Sequence, residues 1–239
     1  MKKVLFGCFY LALFSVSCKK NNPTGDGNNS YMTTAPGTTW NYESIDNSAA
    51  TTSNYTLTST STDSTINARL YHIFSNAGSN GTSAEYYNVS GSDYYQYASL
   101  STPLPLSELK YLVDNIPSGT SWTEPLAFTQ TIAGAVTINF SAIVKYTIEE
   151  KGSTVSVGGK TYNDVIKVST EITNPTINSS LPVPITIEPI TQSIHAYFAR
   201  KYGLVKRDFQ LNVDINAVGT VFNLLNQNTT TNLLSSSIQ

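Results

Sequence analysis

Apolar residues occupy every second position in the middle of the chain, between residues 132 and 150. The positions on this apolar face are Ile132, Gly134, Val136, Ile138, Phe140, Ala142, Val144, Tyr146 and Ile148. Alternation with a period of two is typical of a strand in an antiparallel sheet that has one buried face. A two-residue hairpin loop would shift the apolar side chains from even to odd positions, and no such shift occurs. The pattern therefore favours one long, curved strand.

Similar alternation continues along most of the chain after Pro36. The pair Gly158-Gly159 separates two strand patterns and predicts a two-residue hairpin turn, because both glycines accept positive φ without steric cost. Leucines in the segment 106–115 have helical spacing and prolines flank the segment, which predicts a short helix. We therefore predict one all-β domain over residues 36–239, a single strongly curved antiparallel sheet that forms an open or half barrel. A β-sandwich is the alternative.

The chain begins with the features of an export signal. Lysines precede the apolar run Val4–Phe14, which is too short to span a bilayer as a helix. Small residues then lead into Cys18, so residues 1–17 resemble a bacterial lipoprotein signal peptide, in which the cysteine after the cleavage site receives lipid. An ordinary secretory leader is the alternative. Cys8 leaves with the leader, so Cys18 is the only cysteine expected in the mature chain.

The resemblance to lipoproteins also implies a location. Several acyl chains on Cys18 would give stable membrane anchorage, whereas a single chain binds reversibly. Lys19 stands where an aspartate would imply retention in the inner membrane, so the resemblance implies the outer membrane. It does not indicate in which leaflet of that membrane the anchor lies. Residues 18–35 are rich in Asn, Gly and Thr and have no apolar periodicity. They predict an acylated cysteine followed by a flexible tether.

The charge of the chain limits its partners. Charged residues make up 13% of the sequence, compared with about 25% in average soluble domains. The formal net charge is −2, and loss of the leader lysines makes the mature chain more acidic. Such a chain has no electrostatic attraction for nucleic acid. We therefore expect the membrane as a partner, through the lipid anchor, and no nucleic-acid partner.

Several turn-and-strand motifs resemble those of a group of uncharacterised Gram-negative bacterial lipoproteins. The motifs are GTTWNY at 37–42, GTSW at 119–122, VSVGGKTYNDVIKV at 155–168 and YFARKYGLVK at 197–206. That group is similar to the open half-barrels of periplasmic lipid carriers. The resemblance therefore implies a long, bent antiparallel sheet. It transfers no site residue, because such carriers bind through a generic apolar concavity.

Residues suited to catalysis or metal binding are sparse. His72 and His195 are the only histidines, and each stands alone within a strand pattern. No thiol nucleophile remains once Cys18 is acylated, and the adjacent Glu149 and Glu150 point to opposite faces of a strand. The sequence leaves open the possibility that two carboxylates from distant strands form a catalytic pair for glycoside hydrolysis. We therefore predict no catalytic residue, no metal site and no cofactor, and a protein that is not an enzyme.

The pattern supports two binding hypotheses. In the first, the concave face of the sheet holds an apolar or lipid-like ligand. Its candidate lining residues are Val136, Ile138, Phe140, Val144, Ile166 and Phe209. In the second, a tyrosine-rich hairpin contacts a glycan or a partner protein, because exposed aromatic rings stack on sugars and anchor interfaces. Its residues are Tyr86, Tyr87, Tyr94, Tyr95 and Tyr97. The ordinary preference of tyrosine for strands is the alternative explanation of this cluster.

Overall fold

The computed structural model describes residues 29–79, 81–100, 104–132, 136–180 and 184–238, and the regular elements of this part are all strands. The strands are β1 (Thr39–Asp46), β2 (Thr51–Ile66), β3 (Arg69–Gly78), β4 (Gly81–Ser90), β5 (Asp93–Ala98), β6 (Ser107–Val113), β7 (Ser121–Ile132), β8 (Val136–Val157), β9 (Lys160–Ser179), β10 (Ile185–Ile187), β11 (Thr191–Ala199), β12 (Gly203–Ala217) and β13 (Thr220–Ser236). Within these ranges, no helix is long and apolar enough to cross a membrane.

These strands form one antiparallel sheet in the order β6-β5-β4-β3-β2-β1-β13-β12-β11-β9-β8-β7, with β10 paired to β12 outside this path. The two edges of the sheet, β6 and β7, follow each other in the chain. They lie close together, since the indole N–H of Trp122 in β7 donates to the carbonyl oxygen of Lys110 in β6 at 2.7 Å. The sheet is therefore a nearly closed barrel. This confirms the prediction of a single, strongly curved antiparallel sheet over that of a sandwich.

The alternating pattern in the middle of the chain marks the inner face of the barrel. The buried side chains of β8 at even positions are Ile138, Phe140, Ala142, Val144, Tyr146 and Ile148, each at most 6% exposed. They belong to one core with the inward side chains of β9, β11 and β12. Burial of an apolar side chain of this size contributes about 1.5–3 kcal/mol, so this face supplies a large share of the stability of the barrel.

The helix predicted at 106–115 is wrong, because the segment forms the edge strand β6. The helical spacing has its origin in a β-bulge. Consecutive residues of β5 pair with Lys110 and Leu112, so Tyr111 is an extra residue without a partner in that strand. The extra residue brings Leu109 and Leu112, three positions apart, to the same buried face. A bulged strand thus imitates the periodicity of a helix.

The prediction of one continuous strand from residue 132 to residue 150 is wrong in its first part. Ile132 ends β7 and pairs with Val136 at the start of β8, so the chain reverses direction between them. Paired positions in this hairpin differ by an even number, so inward side chains stay at even positions on both strands. The sequence pattern excluded a loop of two residues. It did not exclude a longer loop that keeps inward side chains at even positions. Beyond residue 150, β8 continues to Val157.

The residues just before β1 pack into the barrel. Each of the residues 30–33 is at most 8% exposed. The carbonyl oxygen of Ser30 accepts a hydrogen bond from the backbone N–H of Lys201 at 2.8 Å, and Ser59 Oγ donates to the carbonyl oxygen of Thr34 at 3.0 Å. The folded domain therefore begins before residue 36, and part of the segment predicted as a tether contributes to the core.

Candidate functional site: a cavity inside the barrel

A cavity of about 130 Å³ lies inside the barrel. Its wall is formed by inward side chains of the strands β1, β2, β4–β6, β8, β9, β11 and β12. The main aromatic contributors are Trp40, Tyr42, Tyr87, Tyr111, Phe198 and Phe209. Strands from both ends of the chain thus build one site, which exists only when the sheet curls into a barrel.

Aromatic contacts fix the shape of this wall. Tyr111 of β6 reaches across the interior to Phe198 of β11, with ring centroids 5.3 Å apart. The rings of Tyr42 and Tyr55, on the neighbouring strands β1 and β2, stack at 5.1 Å. Such pairs contribute about 0.5–1.5 kcal/mol each beyond simple burial. These contacts hold the aromatic side chains of the wall against one another.

One carboxylate, that of Glu85, borders the cavity and is held by neutral donors. Its oxygens accept hydrogen bonds from Asn76 Nδ2 at 2.5 Å and from the hydroxyl of Tyr87 at 2.6 Å. Gln96 Nε2 donates to the same tyrosine oxygen at 2.8 Å. Burial, together with the charge and the hydrogen bond of Glu85, raises the pKa of Tyr87 well above its ordinary value. The hydroxyl therefore stays protonated and remains a donor to the carboxylate.

Arg207, the one basic residue among the described residues of the cavity wall, lacks comparable partners. Among the described residues, no carboxylate or other acceptor pairs with its guanidinium group, and its Nε atom is buried without a hydrogen bond. The ring centroid of Phe209 lies 5.8 Å from its Cζ atom. Charged groups inside proteins are almost always paired, because the desolvation of an unpaired charge is costly. Arg207 is partly exposed, and its Nε is one of two buried side-chain polar atoms without a hydrogen bond among the described residues, the other being Gln130 Oε1.

The lining residues predicted from the sequence are divided between the cavity and the core around it. Phe209 borders the cavity. Four others lie in the core and are at most 1% exposed, namely Ile138, Phe140, Val144 and Ile166. Phe140 stacks on Phe128 of β7 with ring centroids 4.9 Å apart. Val136 pairs with Ile132 in the sheet, and its side chain lies outside the described part.

Sequence analysis missed the residues that define the cavity most clearly, Trp40, Tyr42, Tyr111 and Arg207. Alternation places Trp40 and Tyr42 on one face of β1, but it does not reveal which strands meet across a barrel. The bulge in β6 hides the direction of Tyr111. Arg207 was detectable, because it occupies a position between Val205 and Phe209 on the apolar face of β12.

The tyrosine-rich hairpin of β4 and β5 divides its rings between the two faces of the sheet. Tyr87 borders the cavity, and Tyr94 is 1% exposed in the core. Tyr86 and Tyr97 pair across the two strands on the outer face, where both are partly buried. Tyr95 lies on the same outer face and is also partly buried. The hairpin therefore contributes to the interior as well as to the surface.

The outer tyrosines take part in a cluster beside the edge strand β6. Arg69 lies over the ring of Tyr95, with its Cζ atom 3.6 Å from the centroid, and pairs with both carboxylate oxygens of Glu108 at 2.7 and 3.2 Å. The hydroxyl of Tyr71, a residue that is 0% exposed, also donates to Glu108. Burial alone would raise the pKa of Glu108, but the hydrogen bonds from Arg69 and Tyr71 and the charge of Arg69 lower it. These contacts tie β6 to β3 and β5.

His72 is not isolated in the structure, although the sequence pattern leaves it alone. Ser59 Oγ lies 2.9 Å from its Nε2, and Asp63 Oδ1 lies 2.8 Å from its Nδ1. This Ser-His-Asp arrangement resembles the catalytic triad of a serine hydrolase. However, Ser59 is 1% exposed, and its backbone N–H donates to the carbonyl oxygen of Thr38. Its Oγ also lies 3.0 Å from the carbonyl oxygen of Thr34. The group therefore ties the N-terminal segment to β2 and β3. Among the described residues, no group of three or more His, Cys, Asp or Glu side chains could hold a metal ion.

A buried tyrosine and an ion pair hold the N-terminal segment in place. Tyr31 is 0% exposed, and its hydroxyl donates to Asp164 Oδ1 at 3.0 Å. Arg200 pairs with the other carboxylate oxygen, and its Cζ atom lies 4.7 Å from the ring centroid of Tyr31. Partial burial alone would raise the pKa of Asp164, but the hydrogen bonds from Arg200 and Tyr31 and the charge of Arg200 lower it.

The lowered pKa of Asp164 predicts a pH-dependent contribution to stability. Such a carboxylate stabilises the fold above its unfolded pKa, which is about 4, and loses this contribution as the pH falls through the folded value. We expect Asp164→Asn to unfold at lower urea concentration than the wild type at pH 7. The difference should shrink steadily as the pH falls below about 4. Urea midpoints between pH 7 and pH 3 measure it, with the exposed Glu171→Gln as control. A difference that stays constant with pH would contradict the assignment.

Solved structures from two bacteria resemble this barrel. One is a candidate lipoprotein from Parabacteroides distasonis, with a TM-score of 0.51 and 12% identity over 87% of this chain and 99% of that chain. Another is a candidate exported protein with a YmcC-like fold from Bacteroides fragilis, with a TM-score of 0.41 and 9% identity over 85% and 96% of the two chains. No protein-family model and no curated protein matches the chain. The chain therefore shares the fold of the Parabacteroides protein over most of its length, and the predicted resemblance to such barrels is confirmed for the fold.

Proposed function

We propose that this protein is a non-catalytic binding lipoprotein of the outer membrane, which holds the apolar part of a lipid-like ligand inside its barrel. The observation that carries the proposal is the cavity between aromatic walls, bordered by Trp40, Tyr111 and Phe198. Ligand sites are typically concave and mostly apolar, with a few polar groups that orient the ligand. Glu85 and Arg207 are the charged groups among the described residues of this wall.

The size of the cavity limits what enters it. Its volume is about 130 Å³. An apolar cavity of about 150 Å³ in another protein holds one benzene molecule. A complete lipid is much larger. The barrel would therefore take up one ring or the end of a short chain, while the remainder of the ligand stays outside the cavity.

The N-terminal segment supports a position close to the membrane. Residues 30–33 are packed beside the turn between β11 and β12, and Met32 borders the cavity. Acylated Cys18 would precede this segment by a connection that spans at most about 40 Å when fully extended. The anchor would thus hold the barrel within reach of the membrane surface, where lipid-like ligands are concentrated.

Filling the cavity should weaken the binding of a small apolar probe. Ala196 of β11 borders the cavity, and leucine at this position would extend into it. We expect the wild type to bind fluorobenzene, a neutral probe of about the right size, and Ala196→Leu to bind it at least tenfold more weakly. The measurement is ¹⁹F NMR titration of the soluble domain that starts at residue 29.

The matched control is Ala127→Leu, which adds the same atoms at an exposed position of β7. It should bind fluorobenzene as the wild type does. Failure of the wild type to bind the probe, or equal binding by Ala196→Leu, would overturn the proposal. Both variants need circular dichroism spectra that match the wild type, so that loss of binding is separated from loss of fold.

The alternative is a surface module that contacts a glycan or a protein through the tyrosine-rich hairpin. It has less support, because Tyr87 and Tyr94 face the interior and Tyr95 lies beneath Arg69. The outer rings of Tyr86 and Tyr97 are the ones that such a partner would have to use. No geometry in the described part of the chain favours this function over the cavity.

A further inference from the structure

We infer that the ligand carries an anionic group, a carboxylate in its simplest form, and that Arg207 binds it. The inference rests on the proposed function and adds the chemical class of the ligand. Among the described residues of the cavity wall, Arg207 is the one basic residue, and its Nε atom is buried without a hydrogen bond. A ligand carboxylate would supply the counter-charge that the described residues do not.

The acidic residue of the same cavity does not fill this role. Glu85 is engaged by the side chains of Asn76 and Tyr87, at 2.5 and 2.6 Å, and forms no ion pair with Arg207. A carboxylate that already accepts strong hydrogen bonds inside a protein gains little free energy by moving toward another donor. The positive charge of the cavity therefore stays available for an incoming anion.

The geometry of arginine suits a carboxylate better than other anions of similar size. The guanidinium group is planar, stays charged at all ordinary pH values and binds a carboxylate through two parallel hydrogen bonds. The Phe209 ring lies 5.8 Å from the Cζ atom of Arg207, so an apolar surface adjoins the charged one. An anionic head joined to a ring or short chain matches this combination, with the head on Arg207 and the apolar part among the aromatic side chains.

The test uses two probes that differ in charge and hardly in shape, 4-fluorobenzoate and 4-fluorobenzamide. We expect the wild-type soluble domain to bind the benzoate at least tenfold more tightly in ¹⁹F NMR titrations. In Arg207→Gln the two probes should bind with about equal affinity. Arg207→Lys keeps the charge and should therefore show part of the wild-type preference for the benzoate. The control is Lys206→Gln, which removes a positive charge at the neighbouring position, where Lys206 pairs with Asp208. It should keep the full preference.

A second readout does not depend on the probes. Because the guanidinium group lacks a partner in the free protein, ligand-free Arg207→Gln should melt at a temperature no lower than the wild type. A preference for benzoate that persists in Arg207→Gln, or a clearly lower melting temperature of that variant, would overturn the inference. Wild-type binding of fluorobenzene without any preference for benzoate would overturn the inference alone. Binding of none of the three probes would overturn the proposed function with it.

Discussion

Replacing Trp40 by alanine is expected to lower the free energy of unfolding by about 3–5 kcal/mol. Trp40 is 1% exposed, its indole N–H donates to the carbonyl oxygen of Tyr202 at 2.8 Å, and its ring centroid lies 5.7 Å from that of Phe74. It also borders the cavity, so the lost volume would join an existing void. The cost of such a truncation rises with the volume that stays unfilled. Since domains are stable by about 5–15 kcal/mol, the variant should be near the limit of folding.

Urea unfolding monitored by circular dichroism measures this loss. Trp40→Phe keeps an aromatic ring in the core and should lose clearly less than Trp40→Ala. The affinity of the alanine variant for fluorobenzene should also differ from that of the wild type, because the cavity is enlarged. A loss of stability below about 1 kcal/mol, which is typical of surface substitutions, would show that the ring is not part of a packed interior.

Replacing Tyr31 by alanine is expected to cost about 2–4 kcal/mol, although this residue precedes the first strand. Its ring is fully buried between the ring of Tyr94, at 6.4 Å, and the guanidinium group of Arg200. Its hydroxyl donates to Asp164, and its backbone N–H donates to the hydroxyl of Tyr94 at 3.1 Å. Without the ring, the segment 29–35 would lose its main contact and should become sensitive to protease.

Denaturant unfolding and limited proteolysis followed by mass spectrometry measure the two effects. Tyr31→Phe is the matched variant, since it keeps the ring and removes one hydrogen bond. It should lose about 1 kcal/mol and keep its protection from protease. Equal stability of Tyr31→Ala and the wild type would mean that the segment before β1 is a tether, as its composition predicted.

The inner face of the barrel could be predicted from the sequence because a strand has a fixed period of two. The even positions of β8 are buried from Ile138 to Ile148, as the alternation indicates. The same rule failed where the chain departs from an ideal ladder. A hairpin between Ile132 and Val136 kept the parity of the pattern, and a bulge at Tyr111 changed it. Local pattern thus fixes which face is apolar, but it does not fix where the chain turns.

The candidate site was harder to predict than the fold, because it depends on contacts between distant strands. The alternation does not reveal that Tyr111 meets Phe198, since β6 and β11 are far apart in the sheet order. Composition likewise concealed Tyr31, because one buried ring among polar residues leaves no periodic signal. Arg207 is different: a charge at an inward position of an apolar strand is visible in the sequence, although our sequence analysis did not single it out.

The existence of a cavity between aromatic walls inside the barrel is the claim on which the proposals depend. Crystals of the soluble domain under xenon pressure test it most directly, because xenon enters apolar cavities of this size and scatters strongly. We predict an anomalous peak inside the barrel, bordered by Trp40, Tyr111 and Phe198. An interior without xenon that contains ordered water, or one that side chains fill completely, would contradict the binding function proposed here.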